Sequence, residues 1–305
     1  MTTASVVAAR PSVRRLALAY LELTKPRIVM LVLMTGVPSL LLAAHGWPAT
    51  PLTLAALLGT TLAAASAACF NHYYDRDIDA LMRRTALRPL PAGILPPAHA
   101  LVFAWALAFA AIAVLVAFTN VLAAAIAAAS IFYYAVVYTI WLKRRTPQNI
   151  VIGGAAGASA PLITWAAVTG GVGFPAVVLA GIVFLWTPPH FWALSLYRRD
   201  DYVRANLPML PVTHGEDETR RQIVLYSWVL VPATLVLAPL GIVGWIYWAP
   251  AALLGAHFLR LAHRLKRSKA VPDAVGLFRF SIAYLFLLYT LLTVDGIVRF
   301  WGFTR

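Results

Sequence analysis

Four long stretches of this sequence contain no Asp, Glu, Lys or Arg. They run from Ile28 to Tyr74, Pro89 to Leu142, Thr146 to Tyr197 and Gln222 to Leu259, and are 47, 54, 52 and 38 residues long. A membrane-crossing helix needs about 20 apolar residues, so each stretch has room for two crossings and the turn between them. Each carries a turn signal near its middle: His45-Gly46-Trp47-Pro48, Thr119-Asn120, Thr169-Gly170-Gly171, and Gly241 through Pro250. Four such hairpins make eight spans, and a ninth is expected from about Gly276 to Phe300. Backbone facing lipid has no water to bond, so a span is a helix or part of a closed barrel. A barrel needs polarity that alternates over strands of about 10 residues, and Ala-rich runs such as Ala104 to Ala129 do not alternate. The predicted fold is all-α: a polytopic membrane protein of nine transmembrane helices, with residues 16–305 as one domain behind a short tail of residues 1–15.

Composition agrees. Hydrophobic residues make up 61% of the 305 and charged residues 12%, which leaves no mass for a separate soluble catalytic domain. Any chemistry must take place at or inside the membrane. The net charge of +14 reads as orientation signal and attraction to the lipid bilayer, with no nucleic acid as partner. The single Cys69 cannot form an internal disulfide.

Of the 25 Lys and Arg residues, 23 fall before the first span, in the loops after the even-numbered spans or at the entry of the ninth; only Arg299 and Arg305 fall on the other side. Positive charge stays inside, so the N-terminus and the long loops are expected in the cytoplasm. Trp47, Trp245, Trp248 and Trp301 then lie at the outer interface. No apolar region with a cleavage site precedes the first span. That fits a bacterial cell inner membrane; the mitochondrial inner membrane is the alternative.

Eight of the 11 acidic residues lie in two loops on the basic side. These loops are four spans apart, which suggests two similar halves plus one extra helix. In the first, Asn71, Asp75 and Asp79 are spaced four apart and share a helical stripe, while Asp77 points away. Two carboxylates one turn apart repel each other. They suit Mg²⁺, which takes one or two carboxylates and leaves its other positions to water and phosphate oxygens; a solvated helix end is the other reading. Arg83, Arg84 and Arg88 follow at once, and arginine suits diphosphate oxygens. In the second loop, Tyr197-Arg198-Arg199-Asp200-Asp201, the acids are adjacent, so one can serve a site while the other pairs with Arg198 or Arg204. Glu216-Asp217-Glu218 reads as the first turn of a helix. Asp295 is the one acid inside a span, and Arg299, one turn on, is its expected partner.

The stripe Asn71-x-x-x-Asp75-x-x-x-Asp79, followed by Arg84-Thr85-x-x-Arg88-Pro89-Leu90, resembles the intramembrane aromatic prenyltransferases related to 4-hydroxybenzoate polyprenyltransferase. Thr24-Lys25-Pro26-Arg27, the run from Leu142 through Ala158, Thr187-Pro188-Pro189-His190-Phe191-Trp192 and Pro208-Met209-Leu210-Pro211 bring it closest to the branch that farnesylates haem. That branch also has adjacent acids in the second loop, where the wider family has spaced ones. The resemblance implies a helix bundle around a central cavity. It implies transfer of farnesyl from farnesyl diphosphate to a vinyl group of haem b, giving haem O for haem-copper oxidases. Mg²⁺ is the implied cofactor, and a haem A synthase or oxidase assembly factors are the implied protein partners. Asp75 and Asp79 would hold the metal together with Asn71. Arg84, Arg88, Lys143 and Arg144 are candidates for diphosphate or haem propionate contacts, or simply for orientation charge. Tyr197, Asp200 and Asp201 make up the second acidic site. A sister enzyme with a 4-hydroxybenzoate-type acceptor is the nearest alternative, and a transporter the remote one.

His190 stands apart from the other histidines. It lies within the sixth span, two turns from the second acidic loop, after Pro188-Pro189, which are expected to disturb the helix and free backbone carbonyls. It is expected to face the cavity and contact or ligate haem; the alternative is a buried histidine bonded to a freed carbonyl.

Overall fold

The protein is described as a computed structural model covering residues 12–302, with side chains through Phe300. Arg10, Arg305, the first eleven residues of the expected tail and the Trp301 side chain lie outside the described residues. No strand occurs among the described residues.

The charge-free stretches fold as the expected hairpins. The first holds α2 (Pro26–Ala44) and α3 (Thr50–Leu81). The second holds α4 (Pro97–Phe118) and α5 (Val121–Phe132), which continues as a π-helical segment, Tyr133–Leu142. The third holds α6 (Asn149–Gly157), α7 (Ser159–Thr169) and α8 (Phe174–Tyr197). The fourth holds most of α11 (Glu216–Leu235) and α12 (Trp245–Ser268), and α13 (Val271–Gly302) follows. Pro250 is not in the fourth turn; it lies in the second turn of α12. Three short helices lie outside these stretches: α1 (Val13–Leu23), α9 (Arg199–Arg204) and α10 (Leu210–Thr213).

Seven helical stretches are long and apolar enough to cross a membrane, among the described residues. The two expected spans outside that class are α11 and α12. Glu216, Asp217, Glu218, Arg220 and Arg221 dilute one, and Arg260, Arg264, Lys266 and Arg267 dilute the other. Both still belong to the bundle: Ile223, Leu230, Phe258 and Ala262 are buried in one core with residues of α8 and α13. A second core joins α2, α3, α4, α5 and α7. Neighbouring helices pack in a closed ring, α2–α3–α5–α7–α8–α11–α12–α13–α2, with α4 outside α3 and α5.

The fifth crossing is broken at Ala158. Pro161, in the first turn of α7, has no N–H to give to the Gly157 carbonyl. Ser159 Oγ donates to the Ala156 carbonyl at 2.8 Å, and Ser130 Oγ lies 2.8 Å from Ser159 Oγ. Beyond the break, α7 is fastened to α2: Ser39 Oγ donates to the Pro161 carbonyl at 2.6 Å, and Thr164 Oγ1 to the Gly36 carbonyl at 3.0 Å. A Cβ at Gly36 would stand 2.9 Å from the Thr164 methyl, so only glycine permits this approach. The seam closes the bundle at the end away from the acidic loops and leaves space between helices toward them. At the closed end, Asp295 does not pair with Arg299. It accepts from the backbone N–H groups of Gly244, at 2.8 Å, and Tyr247, capping α12.

Candidate functional site

The last turns of α3 carry the expected stripe, and they carry it into the protein. Asn71, Asp75 and Asp79 are 3%, 1% and 1% exposed. Asp77 turns outward as expected and holds Arg144 at 2.6 Å. Buried carboxylates need partners; two cations from other segments supply them, and a third cation holds Asn71. Lys143 pairs with Asp75, and Arg88 with Asp79 at 2.7 Å. Lys25 Nζ donates to Asn71 Oδ1 at 2.6 Å, and Asn71 Nδ2 donates to Asp75 Oδ2 at 2.6 Å. The π-helical segment sets this geometry: its i→i+5 bonds include Lys143 N–H to the Tyr138 carbonyl, and Thr139 Oγ1 receives Asn71 Nδ2 at 3.2 Å.

Lys25 was not among the site residues expected from sequence. It caps α2 with φ 51 immediately before Pro26, a left-handed conformation that costs a residue with a side chain about 1–3 kcal/mol and is concentrated at functional sites. The residue keeps some surface, but its charged end is enclosed. Burial, together with the nearby cations Arg88 and Lys143, lowers its pKa to about 7 against the pull of Asp75 and Asp79. An anion arriving among these three cations relieves their mutual repulsion.

No group of three or more His, Cys, Asp and Glu able to hold a metal exists among the described residues. Mg²⁺ does not need one, since one or two carboxylates with substrate phosphates suffice. Asp75 fits that role, because its Oδ1 is buried and has no hydrogen-bond partner among the described residues.

The other expected residues divide. Arg84 is exposed. Arg144 is not at the stripe; it is spent on Asp77 and on the Tyr74 carbonyl, 2.8 Å away. In the second loop Asp201 is buried, paired with Arg204, and accepts the Arg83 backbone N–H at 3.1 Å. It therefore fastens the arginine loop in place. Asp200 is exposed, and the Tyr197 ring meets Phe278 edge-on at 5.7 Å. Glu216 and Asp217 open α11 as expected and pair with Arg220.

Two cavities lie beside the first turns of α2. The larger has a cavity volume of about 180 Å³, with Tyr138, Gly153, Gly154, Trp186, His190 and Phe191 among its walls. The smaller has a cavity volume of about 90 Å³ and is lined by Lys25 and by Thr60, Ala63, Ala64, Ala67 and Ala68 of α3. His190 therefore faces a cavity. Its ring is stacked between Trp186 at 4.3 Å and Phe278 at 4.7 Å. Ser281 Oγ spends its proton on the Phe278 carbonyl, so at 2.7 Å it accepts from His190 Nδ1–H. That tautomer leaves Nε2 as a bare lone pair. α8 runs unbroken through Pro188 and Pro189, so the prolines free carbonyls without disturbing the helix as expected, and His190 is bonded to a serine and not to a freed carbonyl.

The sequence profile of the UbiA prenyltransferase family matches residues 31–293. A protoheme IX farnesyltransferase of Gloeobacter violaceus is 52% identical over 96% of this chain and 97% of its own length. One from Synechocystis is 50% identical over 92% of this chain and 89% of its own length. In fold, the chain is similar to a digeranylgeranylglyceryl phosphate synthase, with a TM-score of 0.77 at 19% identity over 93% of this chain and 99% of that one. It is also similar to a UbiA homologue from Archaeoglobus fulgidus bound to DMAPP and Mg²⁺, with a TM-score of 0.65 at 16% identity over 89% of this chain and 99% of that one.

Proposed function

The chain belongs to the UbiA prenyltransferase family, and from that membership we propose that it transfers a farnesyl group from farnesyl diphosphate to a vinyl group of haem b, giving haem O and diphosphate. The observation that carries this reading is the buried stripe of Asn71, Asp75 and Asp79, set among Lys25, Arg88 and Lys143 beside two apolar cavities. Names borne by relatives about half identical over nearly the whole chain support the choice of donor and acceptor.

The chain is a multi-pass membrane protein. We assign it nine crossings, counting α11 and α12, and a cytoplasmic N-terminus in a bacterial inner membrane, on the distribution of positive charge. Residues 16–305 act as one domain.

Asp75 and Asp79, with Asn71, would hold Mg²⁺, which supplies charge neutralisation to a bound diphosphate. Lys25, Lys143 and Arg88 bind the diphosphate, whose arrival favours the protonated form of Lys25, and their positive charge favours departure of the leaving group as the allylic C–O bond breaks. Arg84, exposed in the arginine loop, is a further candidate for a diphosphate or propionate contact. The apolar walls exclude water from the allylic carbon, where the electron-rich vinyl group forms the new C–C bond; a water then adds to the vinyl carbon left electron-poor and gives up a proton. His190, held by Ser281 with Nε2 bare, positions the haem by ligating or contacting its iron. Asp201 keeps the Arg83–Arg84 loop over the site. A haem A synthase or an oxidase assembly factor is the expected recipient of the product. The proposal is tested by supplying purified protein in lipid with farnesyl diphosphate and either protohaem or 4-hydroxybenzoate. Farnesylated hydroxyethyl haem supports it, and prenylation of the benzoate alone refutes it.

A further inference from the structure

We infer that the two cavities separate the substrates, and that the alanine-lined one holds the prenyl chain and measures its length. The inference rests on the prenyl-transfer reading above and adds to it a residue that sets donor specificity. The cavities share a wall made by Ile28, Val32, Tyr134 and Gly157. Only the smaller includes Lys25, which is bonded to Asn71, so its mouth coincides with the diphosphate site. The larger cavity has flat aromatic faces and a histidine lone pair, as a porphyrin requires. The smaller offers methyl groups along a single helix face.

Its depth can be read from α3. Ala68, Ala67, Ala64, Ala63 and Thr60 lie on the same side of the helix as Asn71, each step deeper than the last. Thr60 is eleven residues from Asn71, which is about 16 Å at 1.5 Å per residue. A farnesyl group has a main chain of about twelve carbons; with bonds of roughly 1.5 Å in a zigzag, it extends on the order of 15 Å. The far end is closed, since Thr60 and Ile163 are each 1% exposed and Ala63 is 3% exposed. The α2–α7 seam through Ser39 and Thr164 lies behind Ile163. The Ser130 and Ser159 hydroxyls in the wall are engaged with each other and with the Ala156 carbonyl, so they do not make the chamber a polar site. Ala64 lies two turns below Asn71, roughly 10 Å, where the second isoprene unit gives way to the third.

The test is a competition among geranyl, farnesyl and geranylgeranyl diphosphate, with protohaem as acceptor, for the unaltered protein, Ala64→Leu and Thr60→Ala. The unaltered protein favours farnesyl. Ala64→Leu should lower kcat/KM for farnesyl diphosphate at least about tenfold, corresponding to roughly 1.4 kcal/mol, while its use of geranyl diphosphate and its haem affinity stay within about threefold of the unaltered protein. Thr60→Ala should admit geranylgeranyl diphosphate, and it carries the test if Ala64→Leu does not fold. An unchanged preference in both variants, or an equal fall for both donors, overturns the inference while the prenyl-transfer reading stands. Failure of the unaltered protein to transfer either chain overturns both.

Discussion

Replacing Asp75 and, separately, Asp77 by alanine asks whether the reaction depends on the buried face of α3. The two side chains leave the same helix two residues apart, about 200° around its axis. Asp75 is 1% exposed and holds Lys143 and Asn71. The Asp77 side chain is 62% exposed and holds only Arg144 on the outer face. Loss of the exposed pair is worth about 0–1 kcal/mol, and turnover should stay within about threefold of the unaltered protein. Loss of Asp75 strands Lys143 in a mostly enclosed site. Breaking a buried pair in this way costs up to about 3–5 kcal/mol, and less here, because the Lys143 side chain remains 14% exposed. The chemical loss is larger. Removing one preorganised group that stabilises developing charge costs on the order of 10²–10³ in rate, and Asp75 is also the seat proposed for the metal, so turnover should fall by at least about 10³. The assay is the initial rate of diphosphate release, with gel filtration and a thermal melt in detergent as folding controls. A well-folded Asp75→Ala protein within tenfold of the unaltered rate would refute the reasoning. So would an Asp77→Ala protein as damaged as Asp75→Ala.

His190→Ala removes the imidazole stacked between Trp186 and Phe278, so haem affinity should fall at least about tenfold and the haem spectrum should change, with farnesyl diphosphate binding retained. An unchanged haem spectrum would make His190 structural. Gly153→Ala would place a Cβ 2.2–2.9 Å from three ring atoms of Tyr138; moving that ring should cost about 1–3 kcal/mol and lower the melting temperature. Gly157→Ala meets nothing within 4 Å and should melt with the unaltered protein, so equal melting of the two variants would contradict the packing argument. Stripping divalent cations should abolish turnover, added Mg²⁺ should restore it, and haem binding should persist throughout; full turnover in chelator would remove the metal from the account.

The charge-free stretches made the hairpins legible because a lipid-exposed span tolerates almost no charge, and the i, i+4 spacing made the buried stripe legible because it repeats close to the helix period. Other features depended on tertiary contacts. The partner of Lys25 is 46 residues away in Asn71, and nothing local to Thr24-Lys25-Pro26 shows that this ammonium is enclosed. Arg144 and Lys143 are adjacent in sequence, yet the turn at the end of the π-helical segment sends one to Asp77 and the other to Asp75. Composition cannot separate them. The break at Ala158 had no local sign, since Pro161 is three residues on while Pro188 and Pro189 sit inside an unbroken helix. Asp295 had an obvious partner one turn on in Arg299, whereas the uncapped N–H groups of Gly244 and Tyr247, about fifty residues earlier, hold it instead. α1 lies in the most strongly basic part of the N-terminal region, where a tail was expected through residue 15; its helix begins at Val13 after the Ser12 cap.

The central claim is that this chain joins a farnesyl group to haem. It is tested most directly by pigment analysis of a membrane that makes protohaem and farnesyl diphosphate but lacks haem O, with and without this protein. The account predicts a new haem carrying a farnesylated hydroxyethyl group, present with the unaltered chain and absent with Asp75→Ala at equal membrane content. Protohaem left unmodified, with the unaltered chain folded in the membrane and both substrates present, would contradict it.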